Sequence, residues 1–523
     1  MNLLPHDERP TPRILRSMVV VSGMTTMATE MSASRLLAPY FGASVMVWAN
    51  IIGLILIYLS IGYWYGGRLA DRHPTLRALC TVTMAASIMI AIVPFIARPV
   101  LEISSGGIDS LEVSSVLGSF AGCLLLFSVP VTLLGMVPPF TVRLALRSIH
   151  DSGQVAGSLY ALSTIGSIVG TFGSVLVLIP WIGTRSTMLS FAAILALLSV
   201  IGLTGRIRLA AAFAGLLMAA AVLVPAGIVK QATAGTVVFE DESRYQFVQV
   251  VRGVDSRMLL YINEGWAVHS VYDRDQVLTG GVWDAFLVPP ALAGKQQFTG
   301  RESQRPLRML VIGNAGGTAA REFATYRPNV HIDGVELDPA VSNAGRRFFG
   351  MRASERSNLT VTHADGRPFL AHAGTKRWDV IHIDAFRQPY IPFYLTTHEF
   401  FALVRSHLAP GGVVSINVGT VPDDDRINVA IASTMRSVFP TVIRWPVARN
   451  NEVEVATMRS MHAREVEQRL RGSDLAVRPE LARVFGAAAS AFEPILPQPD
   501  KVLTDDHAPV EWMTDQMIIE EAS

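Results

Sequence analysis

The first 230 residues contain a succession of apolar runs, and a bilayer is the solvent they fit. Seven runs stand out, at 14–38, 46–67, 77–97, 117–140, 155–180, 186–204 and 208–229. Each is about 20 residues, the length that crosses the hydrocarbon core. Arginines sit between them: Arg9, Arg13 and Arg16 precede the first run, and Arg68, Arg72 and Arg77 follow the second. Arg143 and Arg147 follow the fourth and Arg206 and Arg208 the sixth, whereas the alternate loops hold only Arg98 and Arg185. This asymmetry places the N-terminus in the cytoplasm. The first run is long and lacks a small-residue cleavage site, so no cleaved leader is expected. The expectation is a multi-pass protein of the cell membrane.

Within this half, Glu30 and Arg35 are ionisable residues at membrane depth. Such residues mark a functional site by default, and the plainer expectation is that Glu30 pairs with Arg35 or another span. Gly166 with Gly170, and Gly153 with Gly157, have the GxxxG spacing that lets helices approach closely. The proline-interrupted stretch "SVPVTLLGMVPPF" is the candidate for a broken segment.

After Lys230 the pattern changes, giving three regions: 1–230 in the membrane, 231–300 a small β region with a connecting helix, and 301–523 an α/β domain. "TVVFEDESRYQFVQVVRG" and "RMLLYINEGWAVHSVY" alternate like antiparallel strands, with turn chemistry at Asn263 to Gly265. "LTGGVWDAFLVPPALAG" reads as a helix, followed by the polar linker "KQQFTGRESQRP". From Leu307, strands and helices alternate as in a parallel, doubly wound, Rossmann-like sheet of methyltransferase type. One helix is expected to run to Pro410-Gly411. Ligands bind such sheets at the carboxyl ends of the strands. Those ends carry Gly313-Asn314, Glu336, Asp365 and Asp384.

Each of these residues suits a nucleoside site. Gly313 and Gly316, in "GNAGGT", allow close backbone approach after the first strand. Glu336 ends the second strand 23 residues after Gly313, near the spacing at which an acid reads ribose hydroxyls. Asp365-Gly366 ends the third strand, where an acid accepts an adenine amino group or caps the next helix. Asp384 opens the loop "DAFRQPYIPFYL" and is placed to take a proton. Thr396 to Glu399 fits a capping box, and Asp423 to Asp425 fits a helix cap. The histidines show no metal spacing, and Cys80 and Cys123 lie in apolar runs, so no metal site is expected. A net charge of +1 gives no field for nucleic acid.

Together these residues resemble the spermidine synthase family of aminopropyltransferases, in its membrane-fused bacterial branch. The stretch from Glu30 through "RLLAPYFGASVMVW" to "GYWYGGRLADR" resembles that branch's membrane half, and residues 240–420 with "LTDDHAPVE" resemble the synthase domain. The resemblance implies that Gln246 touches the nucleoside, Glu336 the ribose and Asp365-Gly366 the adenine, with Asp384 deprotonating the attacking amine. It implies decarboxylated S-adenosylmethionine as co-substrate, with no permanently bound cofactor, and putrescine or a related amine as acceptor. A homo-oligomer is left open. Departures fall on the amine side. The glycine loop lacks the family's aspartate, Arg387 stands where a second acid belongs, and only Asp284 remains of the family's Tyr-His-Glu. Asp505 and Asp506 are the candidate replacements for binding the amine. The alternatives are a nucleoside-binding transferase with another acceptor, and a membrane transporter or sensor whose synthase-like domain does not turn over.

Seven spans from a cytoplasmic start put the α/β domain outside the cell, whereas an even number keeps it with the cytoplasmic supply of adenosine cofactors. We expect a cysteine introduced at Ser303 to be protected from an impermeant thiol reagent in intact cells. Labelling there establishes an odd number of spans.

Overall fold

The computed structural model describes residues 10–522, except 43–44, 106–110, 147–151, 225–226, 264, 266, 295–305, 353–357, 388–389, 423, 449, 492, 495 and 497. The polar linker with Ser303, and Asp423, therefore lie outside the described residues. The chain forms two compact units: residues 1–231 with 242–247, and residues 232–241 with 248–523.

The first unit is helical: α1 Pro12–Phe41, α2 Val45–Arg72, α3 Leu76–Ser105, α4 Leu111–Gly135, α5 Val137–Ala145, α6 Ser152–Phe172, α7 Ile179–Ser199 and α8 Gly205–Ala221. Among the described residues, four stretches are long and apolar enough to cross a bilayer: 45–72, 76–104, 117–145 and 152–202. They account for five of the seven apolar runs. The last is a 51-residue helical stretch, more than twice the span length. It contains a π-helical turn at Gly173–Leu178 and a break at Gly183, where φ is 77° and ψ is 166°. That break falls between the fifth and sixth runs. The stretch with the prolines breaks as expected: α4 stops at Gly135 and α5 restarts with Pro138 in its first turn, where a missing N–H costs nothing. The first and last runs are helical but do not meet the same measure. α1 is diluted by Thr25, Thr26, Thr29, Glu30, Ser32, Ser34 and Arg35, and α8 has only 17 residues.

The faces of these helices explain the composition. One side packs a core that includes Leu37, Phe41, Ile51, Phe127, Phe140 and Leu195. The other side leaves Leu56, Leu125, Ile168, Leu176, Trp181 and Phe213 exposed. Helices apolar all round belong in hydrocarbon. Glycines set the closest contacts. A Cβ at Gly166 would lie 2.2 Å from the Val20 carbonyl oxygen, and one at Gly170 2.3 Å from that of Met24. Gly153 and Gly157, with the same spacing, meet nothing within 4 Å. A third pair, Gly62 and Gly66, packs α2 on Gly135 and Met136, a role not read from the sequence. Glu30 forms no ion pair with Arg35 among the described residues. Arg35 instead donates to the carbonyl oxygens of Ser243, at 3.3 Å, and Arg244.

The second unit opens with strands β1 Thr236–Glu242, β2 Phe247–Arg252, β3 Met258–Ile262 and β4 Val268–Tyr272, in the order 1-2-3-4. Asn263 and Gly265 both take positive φ in the β3–β4 turn. The single helix expected after them is interrupted: α9 covers only Val282–Ala285, and Pro289–Leu292 is a 3₁₀ turn. Pro289 and Pro290 remove the backbone donors that a continuous helix needs.

The main sheet has eight strands: β5 Leu307–Ile312, β6 Val330–Glu336, β7 Leu359–His363, β8 Trp378–Ile383, β9 Leu408–Gly419, β10 Thr441–Ala448, β11 Asn451–Thr457 and β12 Glu493–Pro494. Their order is 12-10-11-9-8-5-6-7. The five strands 9-8-5-6-7 are parallel, as expected, but β11, β10 and β12 join antiparallel, so the sheet is mixed. Strand β8 is buried along its whole length, the continuous apolar signature of a covered parallel strand. Helices α10 Thr318–Tyr326, α11 Pro339–Phe348, α12 Gly366–Ala371, α13 His398–Ser406 and α14 Arg426–Val438 follow successive strands. Helix α13 stops at Ser406, and "LAPGG", expected to end it, lies inside β9. The cap of α13 is Thr397, one residue after the expected box, and Glu399 instead accepts the Asp505 amide at 3.0 Å.

Replacing Gly166 by leucine should destabilise the first unit by roughly 1–3 kcal/mol, because a backbone carbonyl occupies the added volume. The same change at Gly157 should be neutral. Unfolding in mixed detergent micelles reads both, and equal effects would show that spacing alone, not contact, matters.

Candidate active site

Strand β5 lies at the centre of the parallel strands, where the chain reverses its direction of winding, and its carboxyl end is the expected crevice. Three backbone bonds knit the neighbouring strand ends together. The Gly313 amide donates to the Val335 carbonyl (2.9 Å), the Asp384 amide to the Ile312 carbonyl (2.8 Å) and the Ala364 amide to the Glu336 carbonyl (3.1 Å). Glu336, Asp365 and Asp384 thus come to one edge of the sheet with the glycine loop among them.

The loop follows from its glycines. At Gly313 φ is 89°, and a Cβ would sit 2.2 Å from the Asp384 carbonyl oxygen. Only glycine permits that approach. Gly316 is constrained by packing: its amide donates to Ser270 Oγ at 2.8 Å, and a Cβ would meet that side chain at 2.9 Å. Gly317, with φ of 82°, starts α10. Ala315 between them also has positive φ, 45°, which is strained for a residue with a Cβ. Gly334 in β6 leaves room for Asn314, whose Oδ1 would lie 2.7 Å from a Cβ there. The sequence reading did not single out Gly334, although a glycine inside an otherwise apolar strand is the usual signal of close approach.

Glu336 explains the strain at Ala315. Its Oε2 accepts the Ala315 amide at 2.9 Å and its Oε1 the Asp338 amide at 3.0 Å. The side chain is buried, and burial pushes its pKa up to about 7 while the two amides pull it down. Asp384 is half-buried. Asn417 Nδ2 donates to its Oδ1 at 2.9 Å, and Asn451 in turn donates to Asn417 Oδ1 at 2.9 Å. Burial pushes Asp384 up to about 6, opposed by hydrogen bonds from Asn417 and Trp283. Neither asparagine nor Trp283 was picked out in the sequence, because the asparagines reach Asp384 only by pairing of β8, β9 and β11, and Trp283 comes from α9, far away in the chain.

Asp365 caps α12, accepting the Arg367 amide at 3.1 Å, and also accepts Tyr394 Oη at 2.7 Å. Gly366 is forced by Ile312, whose Cγ2 would lie 2.3 Å from a Cβ. Gln246 lies in the turn of the first unit that Ser243 organises, its amide donating to Ser243 Oγ at 3.1 Å.

The amine-side candidates are committed elsewhere. Asp505 is held by a bidentate pair with Arg367, at 2.5 and 2.7 Å, and by Thr397 Oγ1 at 2.7 Å. Arg367 accordingly holds its carboxyl below the usual range. Asp506 is exposed and has no partner among the described residues. Asp284 accepts from Thr279 N (2.9 Å), Thr279 Oγ1 (2.8 Å) and Gly280 N (3.0 Å), so it shapes its own loop. Beside it, buried Glu322 is held well above the usual range by desolvation and by the Asp284 charge. Arg387 is exposed, its backbone paired with Tyr390 and its guanidinium without a partner among the described residues. His382 is buried against Phe286, with ring centroids 4.7 Å apart, and burial pushes it down to about 3, so it is neutral.

Glu336 is protonated in the fold up to a higher pH than in the unfolded chain. Its contribution to stability is therefore present below about pH 4.5 and is lost as pH rises through about 7. Glu336→Gln should flatten the fall in melting temperature across that window. An unchanged slope would show that Glu336 stays ionised in the fold.

Comparison with known proteins converges on this domain. Residues 296–460 match the model of the Spermine/spermidine synthase domain. A probable polyamine aminopropyl transferase of Bifidobacterium longum is 33% identical over 310 residues, covering 54% of this chain and 64% of that protein. A polyamine aminopropyltransferase of Vibrio vulnificus is 32% identical over 161 residues, covering 30% of this chain and 52% of that protein. The chain thus spans less than two thirds of either. Polyamine aminopropyltransferase 2 of Ralstonia nicotianae is 25% identical over 429 residues, 76% of this chain and 77% of its own length. The crystal structure of spermidine synthase from Thermotoga maritima aligns with a TM-score of 0.38 at 17% identity, over 50% of this chain and 84% of that one.

Proposed function

We propose that this chain, which carries a spermine/spermidine synthase domain behind a set of bilayer-length helices, is a membrane-bound aminopropyltransferase. The donor is decarboxylated S-adenosylmethionine and the acceptor putrescine or a related primary amine. The observation that carries the reading is the pair of carboxylates, Glu336 and Asp384, at strand ends on either side of β5, with the glycine loop between them. In this reading Glu336 accepts both ribose hydroxyls with the lone pairs its two amide bonds leave open, and Asp365 or its neighbouring backbone meets the adenine.

The chemistry asks little of the protein beyond alignment. The amine nitrogen attacks the aminopropyl carbon bonded to sulfur. The C–N bond forms as the C–S bond breaks, and its electron pair stays on sulfur, giving neutral methylthioadenosine. The new ammonium gives its proton to Asp384. A carboxylate pushed up to about 6 by burial is a better base near neutrality than an exposed one, and Asn417 fixes its orientation. Alignment itself contributes roughly 7–11 kcal/mol in favourable cases.

A second reading keeps the nucleoside site and changes the acceptor. It is favoured by Arg387, an exposed cation three residues beyond the proposed base, and by the engagement of Asp505 with Arg367. An acceptor carrying an anionic group fits that side better than a simple diamine.

Asp384→Asn preserves size and removes the proton acceptor. Methylthioadenosine release from decarboxylated S-adenosylmethionine and putrescine should fall by roughly 10²-fold or more, while methylthioadenosine affinity by calorimetry stays near that of the unaltered chain. Joint loss of both would give Asp384 a structural role, and undiminished turnover would remove it as the base. No release with any of a panel of amines would overturn the aminopropyl reading itself.

A further inference from the structure

A separate cavity of about 360 Å³ opens just past the carboxyl end of β9, lined by Thr420, Val421, Asp424, Asp425, Asn428 and Glu452, with Pro446 and Ala448 of β10. None of these residues takes part in the candidate active site. The strand register explains the lining. Arg444 of β10 stands opposite Glu454 of β11, and Pro446 opposite Glu452. Residues two apart on a strand share a face, so Glu452, Glu454 and Arg444 lie on one face of the sheet. Asn428 of α14 meets that face across the cavity.

The polar groups here are incompletely satisfied. Asn428 is fully buried, and neither its Nδ2 nor its Oδ1 has a hydrogen-bond partner. Glu454 is fully buried, and both of its carboxylate oxygens are in the same position. Buried polar groups are almost always paired, and the open amide of Asn428, which lines the cavity, marks a place for a ligand, with Glu454 on the same face of the sheet beneath it. The sign of that ligand follows from the charges. Among the described residues that line it, the acids are Asp424, Asp425 and Glu452. Against them stand Arg444, which reaches Asp425 at 3.0 Å and Glu452 at 3.7 Å, and Arg426, which binds Asp424 and is shared with Glu520. The balance is negative, so an anion is excluded and a cation is favoured. No group of three or more metal-ligating side chains occurs among the described residues, so a bare metal ion is not the fit.

The geometry points to a second ligand site in this cavity, taking the protonated end of a short aliphatic amine, with Glu452 as its counter-charge and Asn428 Oδ1 accepting one of its N–H groups. An ammonium donates one N–H to the Asn428 Oδ1 that lines the cavity and has no partner, and its charge faces Glu452. Burial and the Glu452 charge hold the Glu454 carboxyl well above the usual range, opposed by Arg444. A bound cation relieves that cost in the same way. The site stands apart from the transfer reaction and does not require it.

Equilibrium dialysis of radiolabelled putrescine against the full chain in detergent micelles tests the site. Putrescine should bind, and tetramethylammonium, which has the charge without the donors, should not compete. Two equivalents of putrescine should bind; Glu452→Gln should weaken one of them at least tenfold, and Asn428→Leu, on a different element, should remove that equivalent and no other by filling the cavity. Asp384→Asn should leave it in place. Wild-type affinity in both cavity variants, with cooperative thermal unfolding retained, would overturn the site, as would effective competition by tetramethylammonium or no binding at all. Loss in Asp384→Asn alone would also overturn it, by leaving the strand-end site as the amine site, and would leave the transferase reading standing.

Discussion

Everything proposed for the active site depends on one close approach, that of Gly313 to the backbone of Asp384. With φ at 89° and no Cβ, Gly313 lets the end of β5 pass against the Asp384 carbonyl. That contact fixes where the loop turns. The turn carries Ala315 into positive φ, and its amide is caught by Glu336. One packing constraint thus ties the proposed base, the loop and the proposed ribose acid into a single rigid edge. Arranging groups in this way before a ligand arrives is what positional catalysis requires.

The two carboxylates at this edge have different environments. Glu336 is buried and its oxygens are bound by two backbone amides, which suits an acceptor that stays in place. Asp384 is half-buried and is bound by side chains from other strands, Asn417 and, through it, Asn451. Burial raises both, but the partners of Asp384 are removable side chains rather than backbone. Evolution can tune Asp384 by changing residues on β9 or β11 without touching the loop. Separate environments for separate tasks are the usual means by which one site holds a binder and a base.

Much of this edge was legible in the sequence, because the residues at strand ends are fixed by local pattern. A buried apolar strand followed by Gly313, Glu336 or Asp384 announces its own carboxyl terminus. The helical first unit was legible for the same reason, since length and hydropathy alone identify helices long enough to cross a bilayer. What the sequence hid are pairings across the sheet. Asn417 and Asn451 reach Asp384 only through strand order, and Gly334 matters only because Asn314 lies over it. The antiparallel strands β10 to β12 were also hidden, and "LAPGG", which reads as a helix stop, lies within β9. The expected replacements for the amine-side acids fail for a related reason: Asp505 is close in chain to Asp506, but Arg367, far away in sequence, claims it.

The same distinction orders the helices of the first unit. GxxxG spacing is a local pattern, and it occurs at Gly153/Gly157 and at Gly166/Gly170 alike. Only the second pair meets a neighbour, with the Val20 and Met24 carbonyls of α1 pressed against it. Spacing permits close approach, but the contact itself depends on which helix lies alongside. Between helices apolar on every side, hydrophobic drive favours no one neighbour over another, so packing and polar contacts must select it. Here α1, the least apolar of the long helices, supplies those contacts. Its threonines and serines bond their own backbone, as Thr25 and Thr26 do to Val21 and Ser22, and its carbonyls meet the glycines of α6. An apolar α1 would lose neither its helix nor its length. Its Ser22, Thr25, Thr29 and Ser32 are buried, which marks it as the inner helix of the unit.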